Sequence, residues 1–147
     1  MNSRLGFRTS LLRSSRMICD EINTLLLPYQ LNYSLWQVMF VIHEKQSCTS
    51  IDIANYLNVS KPSITKRTLI LSQLGILTQL ATQDKRQKKI ALSDAGLQLY
   101  QTCASVINDF EQSMIQQFDQ KDVVLSTALL NTLIDQLSAK NSGNNHA

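Results

Sequence analysis

Two short amphipathic segments separated by only three residues, Asn58-Val59-Ser60, constrain this chain more than any other feature. Thr49-Ser50-Ile51-Asp52 has the form of a capping box with Asp in place of Glu or Gln. A short helix is expected to start there, with Ile51, Ala54 and Leu57 on its inner face. Asn58 tolerates the left-handed conformation that closes a helix tightly. Ser60 can cap the next helix, with Pro62 tolerated in its first turn and Val59 and Ile64 in the two positions of a hydrophobic staple. Ile64, Leu71 and Leu74 are expected to face inward until Gly75 ends that helix. Two short helices on so tight a turn form a helix-turn-helix.

A hairpin follows at once. Ile76–Leu80 and Lys88–Leu92 read as its strands, with Ile90 and Leu92 on one face of the second strand and Lys89 and Ala91 on the other. Its tip is basic, running Asp84-Lys85-Arg86-Gln87-Lys88-Lys89. A basic hairpin behind a basic helix is the arrangement a winged helix needs to hold duplex DNA, helix in the major groove and wing in the neighbouring minor groove. Charge is distributed to match. Residues 45–93 carry eight lysines and arginines against Asp52 and Asp84, whereas residues 94–147 carry only Lys121 and Lys140 against six acids. Such a basic middle fits a polyanion-binding module carried on other helices, although charge alone is equally met by an unevenly solvated surface.

The flanks are helical in pattern. Four glycines and two prolines are few for 147 residues, so helix should dominate. Leu5, Leu11, Leu12, Ile18, Ile22, Leu25 and Leu26 mark a long first helix that Pro28 ends. Asn32 can cap a second, containing Leu35, Trp36, Val38, Met39, Phe40, Val41 and Ile42, apolar nearly all round and so buried on several sides. Ser93 can cap a fifth helix, with Ala95, Leu99, Cys103, Val106, Phe110 and Met114 in its stripe, and Asp119 a sixth, bearing Leu125, Leu129, Leu133 and Leu137. Helices one, five and six are longer than a winged helix needs for itself. They are expected to pack on one another and on a second copy, giving a two-fold homodimer with two reading heads; an intramolecular bundle is the alternative.

The expected fold is therefore mainly α with a small β-hairpin wing, a winged helix-turn-helix flanked by long N- and C-terminal dimerisation helices. One domain spans residues 1–147, with dimerisation helices at 1–30 and 94–140, the DNA-binding lobe at 31–93 and a disordered tail at 141–147.

Other classes find little support. Cys19, Cys48 and Cys103 are an odd number at wide spacings with no CxxC, against a disulfide framework or zinc knuckle and in keeping with a reducing cytoplasm. His43 and His146 form no recognisable metal motif with them, and no nucleophile–base pair or phosphate-binding glycine loop suggests an enzyme. No catalytic residue, metal or cofactor is expected. No apolar run approaches the ~18 residues of a membrane span. Arg4, Arg8, Arg13 and Arg16, with no acid before Asp20, also fit an organellar targeting segment, but helical spacing is the better account.

In this order the residues resemble the MarR family of winged-helix transcriptional regulators. The resemblance is carried by Leu31-Asn32-Tyr33-Ser34-Leu35-Trp36 opening helix two, by Ile53-Ala54-Asn55-Tyr56-Leu57-Asn58-Val59-Ser60 in helix three, and by Ser60-Lys61-Pro62-Ser63-Ile64-Thr65-Lys66 in helix four. Leu74-Gly75-Ile76-Leu77 matches the turn into the wing, and Asp84-Lys85-Arg86 with Leu92-Ser93-Asp94-Ala95-Gly96 matches the wing signature and the strand's exit. It covers about residues 31–96. It implies a dimeric regulator, usually a repressor, in which helices one, five and six form the interface. Members often carry charge where this chain has Leu69-Ile70 and Gln79-Leu80. Leu69 and Ile70 are expected to pack on helix one rather than to touch thymine methyls.

On this reading Ser60, Lys61, Pro62, Ser63, Thr65, Lys66 and Arg67 form the helical part of the DNA site and Asp84, Lys85, Arg86 and Lys88 the wing part. Lys66 and Arg67 can donate to guanine or to phosphate, and the hydroxyls near the helix start suit phosphate oxygens. Arg86 is expected to enter the minor groove, its guanidinium held by Asp84, and the resemblance implies the same roles for that pair. The partner is double-stranded DNA with an inverted repeat. The resemblance also implies a small, often phenolic or anionic, effector between the dimer helices and the DNA-binding lobe, for which Tyr33 and Trp36 are the candidates. Thiol sensing through Cys19 is the alternative. The family's peroxide-sensing branch places its cysteine nearer the start of helix one, where Arg8 stands here. A protein-docking winged helix, such as an antirepressor, is the remaining reading.

Overall fold

The structure is a computed structural model that describes residues 4–84, 86 and 88–144. Its helices are α1 (Phe7–Leu26), α2 (Tyr33–Lys45), α3 (Ser50–Leu57), α4 (Lys61–Gln73), α5 (Asp94–Ile115) and α6 (Gln120–Asn144), with strands β1 (Leu77–Leu80) and β2 (Lys89–Leu92) between α4 and α5. The fold is thus the expected one, mainly α with a two-stranded hairpin. The chain divides into two compact units, Met1–Ile107 and Asn108–Ala147, with the division inside α5.

Local chemistry sets the helix starts. Asn32 Oδ1 accepts from the Leu35 N–H at 2.9 Å, and Asn23 of α1 accepts from the Tyr33 N–H at 2.7 Å, so two orphan donors of α2 are satisfied. Thr49 and Asp52 form a reciprocal capping box at 3.2 and 3.0 Å. Asn58 is left-handed at φ 54°, and Ser60 caps α4 by accepting from the Ser63 N–H. Asp119 accepts from the Lys121 N–H at the start of α6.

In the first unit the core is built around α2, whose Val38, Met39, Val41 and Ile42 are fully buried, together with Leu26, Ile53, Ile64, Leu71 and Cys103. The inner face of α3 differs from expectation. Ile53 and Ala54 point inward and Leu57 is half-buried, while Ile51 is 54% exposed. In α4, Ile64 and Leu71 are buried as expected, but Thr68 takes the third inward place and Leu74 is 41% exposed. Leu74 lies past the last full turn, where the chain is already leaving the helix.

β1 and β2 pair antiparallel from Leu77↔Leu92 to Leu80↔Lys89. Cys48 adds an edge to this hairpin, exchanging backbone hydrogen bonds with Ile90 at 3.1 and 2.8 Å, a contact across 42 positions that periodicity does not reveal. The base of the hairpin is clasped by Ser93, whose hydroxyl donates to the Gly75 carbonyl at 2.6 Å and accepts from the Gly96 N–H at 3.0 Å. Gly75 supplies the turn with φ 76°. Gly96 lies so close to the residue before β1 that a Cβ there would meet the Ile76 carbonyl.

The second unit is the end of α5 and all of α6. The expected disordered tail is corrected in part, because residues 141–144 are the last turn of α6; residues 145–147 lie outside the described residues. Among the described residues no helix is long and apolar enough to cross a membrane.

Candidate nucleic-acid interface

With Ile64, Thr68 and Leu71 buried, the opposite face of α4 presents Pro62, Thr65, Lys66 and Leu69, all exposed, with Lys61 beside them. The start of this helix is ordered by its own hydroxyls. Ser60 Oγ donates to Ser63 Oγ at 3.0 Å, and Thr65 Oγ1 donates back to the Lys61 carbonyl at 3.0 Å. Lys61 and Lys66 thus project from a stiff scaffold.

Arg67 is placed differently from its neighbours. Its Nη1 donates to the Ser34 carbonyl at 3.3 Å and to Gln37 Oε1 at 3.4 Å, tying α4 to α2. The guanidinium that the sequence reading gives to guanine or phosphate here spans two helices.

The wing tip is shaped by Asp84. Its Oδ1 accepts from the backbone N–H of Arg86 at 3.0 Å, while Thr82 Oγ1 donates to the Asp84 carbonyl at 2.6 Å. Where the sequence reading has Asp84 holding the Arg86 guanidinium, the contact present among the described residues is with the Arg86 backbone, as in an Asx turn. The guanidinium is positioned through the main chain. Lys85 lies outside the described residues.

Helix and wing meet at one cleft of about 560 Å³, lined by Thr49, Ser50, Ile51, Asp52, Lys61, Arg86, Lys88 and Lys89. Among the described residues four cations line it with one carboxylate, and Asp52 is itself committed to the α3 cap. Its pKa is lowered, first by the Thr49 backbone N–H and then by the Thr49 hydroxyl, with smaller help from Lys45 and Lys89. Lys89, which the sequence reading assigns to the basic wing but not to the DNA site, joins the cleft because its strand face turns toward α3, a choice that alternation alone does not reveal.

Tyr33 and Trp36 also come together. They line a pocket of about 270 Å³ with Gln37, Phe40, Tyr56 and Leu57. Tyr33, Gln37 and Phe40 share one face of α2 at helical spacing, whereas Tyr56 comes from α3. Trp36 is at the same time core, stacking on Tyr100 at 4.7 Å; His43 stacks on Tyr100 at 4.0 Å. Residues seven apart on a helix are separated by a rise of about 10.5 Å, so the Tyr100 ring lies between those two rings. Burial, and then Glu44, push the Tyr100 hydroxyl's pKa up.

Cys19 is half-buried and lines a separate pocket of about 420 Å³ with Arg16 and Asp20, which pair with each other at 3.4 Å. The other two thiols are buried. Burial, with Asp52 adding to it, raises Cys48, and burial pushes Cys103 up to about 11, away from the reactive thiolate.

No protein-family model matches the chain. It is 26% identical over 124 residues to the HTH-type transcriptional regulator YwoH of Bacillus subtilis (strain 168), covering 84% of this chain and 90% of that one. Among solved structures, MepR of S. aureus, determined as a DNA complex, superposes with a TM-score of 0.78 at 16% identity over 90% of this chain and 96% of its own. NadR, determined with 4-hydroxyphenylacetate, gives 0.75 at 17% identity over 90% and 95%. Helix order, hairpin and extent agree throughout, and the fold of this chain is that of the MarR-family transcriptional regulators.

Proposed function

We propose that this chain is a cytoplasmic, homodimeric, sequence-specific DNA-binding transcriptional repressor, released from its operator by a small aromatic ligand. The observation that carries the reading is the cleft that Lys61, at the start of α4, shares with Arg86, Lys88 and Lys89 of the wing. A duplex that accepts α4 in its major groove brings its phosphate ridge past that cleft, and the wing tip then reaches the next groove. MepR, solved with DNA, supports the assignment by fold. A protein-docking module has no use for four convergent cations.

Binding by fluorescence anisotropy to DNA from upstream of the gene tests this. The expected result is tight binding that footprinting maps to an inverted repeat with half-sites about one helical turn apart. If two copies neutralise roughly six to ten phosphates, affinity falls by roughly 10³–10⁵ between 50 and 200 mM salt. Failure to bind any duplex at the lowest salt would overturn the proposal and favour a docking module.

For the effector, the slot between Tyr33, Trp36, Phe40 and Tyr56 is of single-ring size, at the small end of ligand cavities. Gln37 is one of the polar residues in its lining and also the acceptor for Arg67 of α4. A phenolic hydroxyl that donates to Gln37 Oε1 competes with Arg67 for that acceptor and loosens the tie between α2 and the reading helix. NadR, solved with 4-hydroxyphenylacetate, supports this class of ligand by fold alone. Addition of simple phenolic acids to the anisotropy assay is expected to release DNA.

A further inference from the structure

Leu69 is expected to pack on the first helix, yet 57% of it is exposed. At 3.6 residues per turn it lies just above Thr65 and Lys66, in line with Pro62 and Gln73, and opposite the buried Ile64 and Leu71. A large aliphatic side chain thus stands exposed on the face that also carries Thr65 and Lys66, with Pro62 and Gln73 in line with it. That surface suits a partner offering negative charge around a small apolar group. In the major groove the apolar group on the base edges is the C5-methyl of thymine.

We propose that Leu69 reads the C5-methyl of one thymine in each half-site and so helps to set the operator sequence. The inference rests on the DNA-binding reading above and deepens it. Lys66, one turn before Leu69, and Lys61 at the helix start can hold the backbone, but neither can tell thymine from cytosine by an apolar contact. Along a helix lying in the groove, the rise from Pro62 to Leu69 is about 10.5 Å, or roughly three base-pair steps. The thymine therefore lies about three base pairs from the bases beneath the start of α4.

The test begins with an operator selected from a random duplex pool by the full-length protein. Each thymine in turn is then replaced by deoxyuridine, which removes only the methyl group. One position per half-site is expected to lose about four-fold in affinity, the loss that follows from exposing one buried methyl. Leu69→Ala is expected to bind the thymine operator more weakly and to treat thymine and uracil alike, while Leu69→Met keeps the preference. Because the side chain is exposed, both variants should melt with the parent. Tolerance of uracil at every position by the unaltered protein overturns the proposal, as does an undiminished thymine preference in Leu69→Ala. Selection that recovers no duplex at all overturns the DNA-binding reading with it.

Discussion

At the residue scale the wing separates two roles that the sequence had merged. Arg86 lines the cleft, whereas Asp84 acts on the Arg86 backbone and so orders the tip from which the guanidinium projects. Arg86→Ala is expected to weaken operator binding by about 1–3 kcal/mol in anisotropy titrations. Asp84→Ala should cost less, and the double variant should lose less than the two single losses combined, since the tip then has no guanidinium to position. Strict additivity would show that Asp84 does not act through Arg86. The sequence could identify both residues, because a short polar spacing at a turn is legible, but not which atoms meet. Arg67 was less legible still. Its acceptors lie more than two dozen positions away on α2, and only the packing of α2 against α4 brings them within reach.

At the scale of elements, what was legible is what is decided locally. Caps at Asn32, Thr49, Ser60, Ser93 and Asp119, and the left-handed Asn58, each depend on a hydrogen bond or torsion spanning four residues or fewer, so sequence suffices. Helix phase was harder. An eight-residue α3 with Ile51, Ile53, Ala54 and Leu57 admits more than one inward face, and packing on α2 and α4 selects Ile53. The aromatic stack of Trp36, Tyr100 and His43 joins α2 to α5 across more than fifty positions, beyond any periodic pattern. The α3 cap has a pH signature. Asp52 has a lowered folded pKa, so its stabilising contribution is in place above the unfolded value, about 3.9, and disappears as pH falls through the lower folded value. Asp52→Ala should therefore be less stable than the parent in urea titrations at pH 7 and converge with it in acid. A gap that persists at pH 2 would assign the loss to something other than the carboxylate's charge. Thr49→Ala should cost about 1 kcal/mol. Gly96→Ala should cost more, about 1–3 kcal/mol, because its new methyl meets the Ile76 backbone rather than a side chain that could swing aside.

At the scale of the whole molecule the terminal helices present more apolar surface than their chain uses. Leu5, Phe7, Leu12 and Met17 at the start of the chain are exposed, as are Val124, Leu125, Leu129, Leu130, Ile134 and Leu137 of α6. A second copy is the proposed cover, and the symmetry of such an interface sharpens its test. In a two-fold dimer each patch meets its own image, so one substitution places two charges in the same interface. Leu129→Glu should thus shift sedimentation from dimer to monomer while leaving far-ultraviolet circular dichroism helical, since the side chain is exposed on α6 and is not one of the buried core residues. The monomer keeps one α4 and one wing. It should bind a half-site with about half the salt slope of the dimer, because the phosphate contacts are divided equally between the copies. Parent protein that sediments as a monomer, yet grips the full inverted repeat with the full salt slope, would show that two reading heads are not needed.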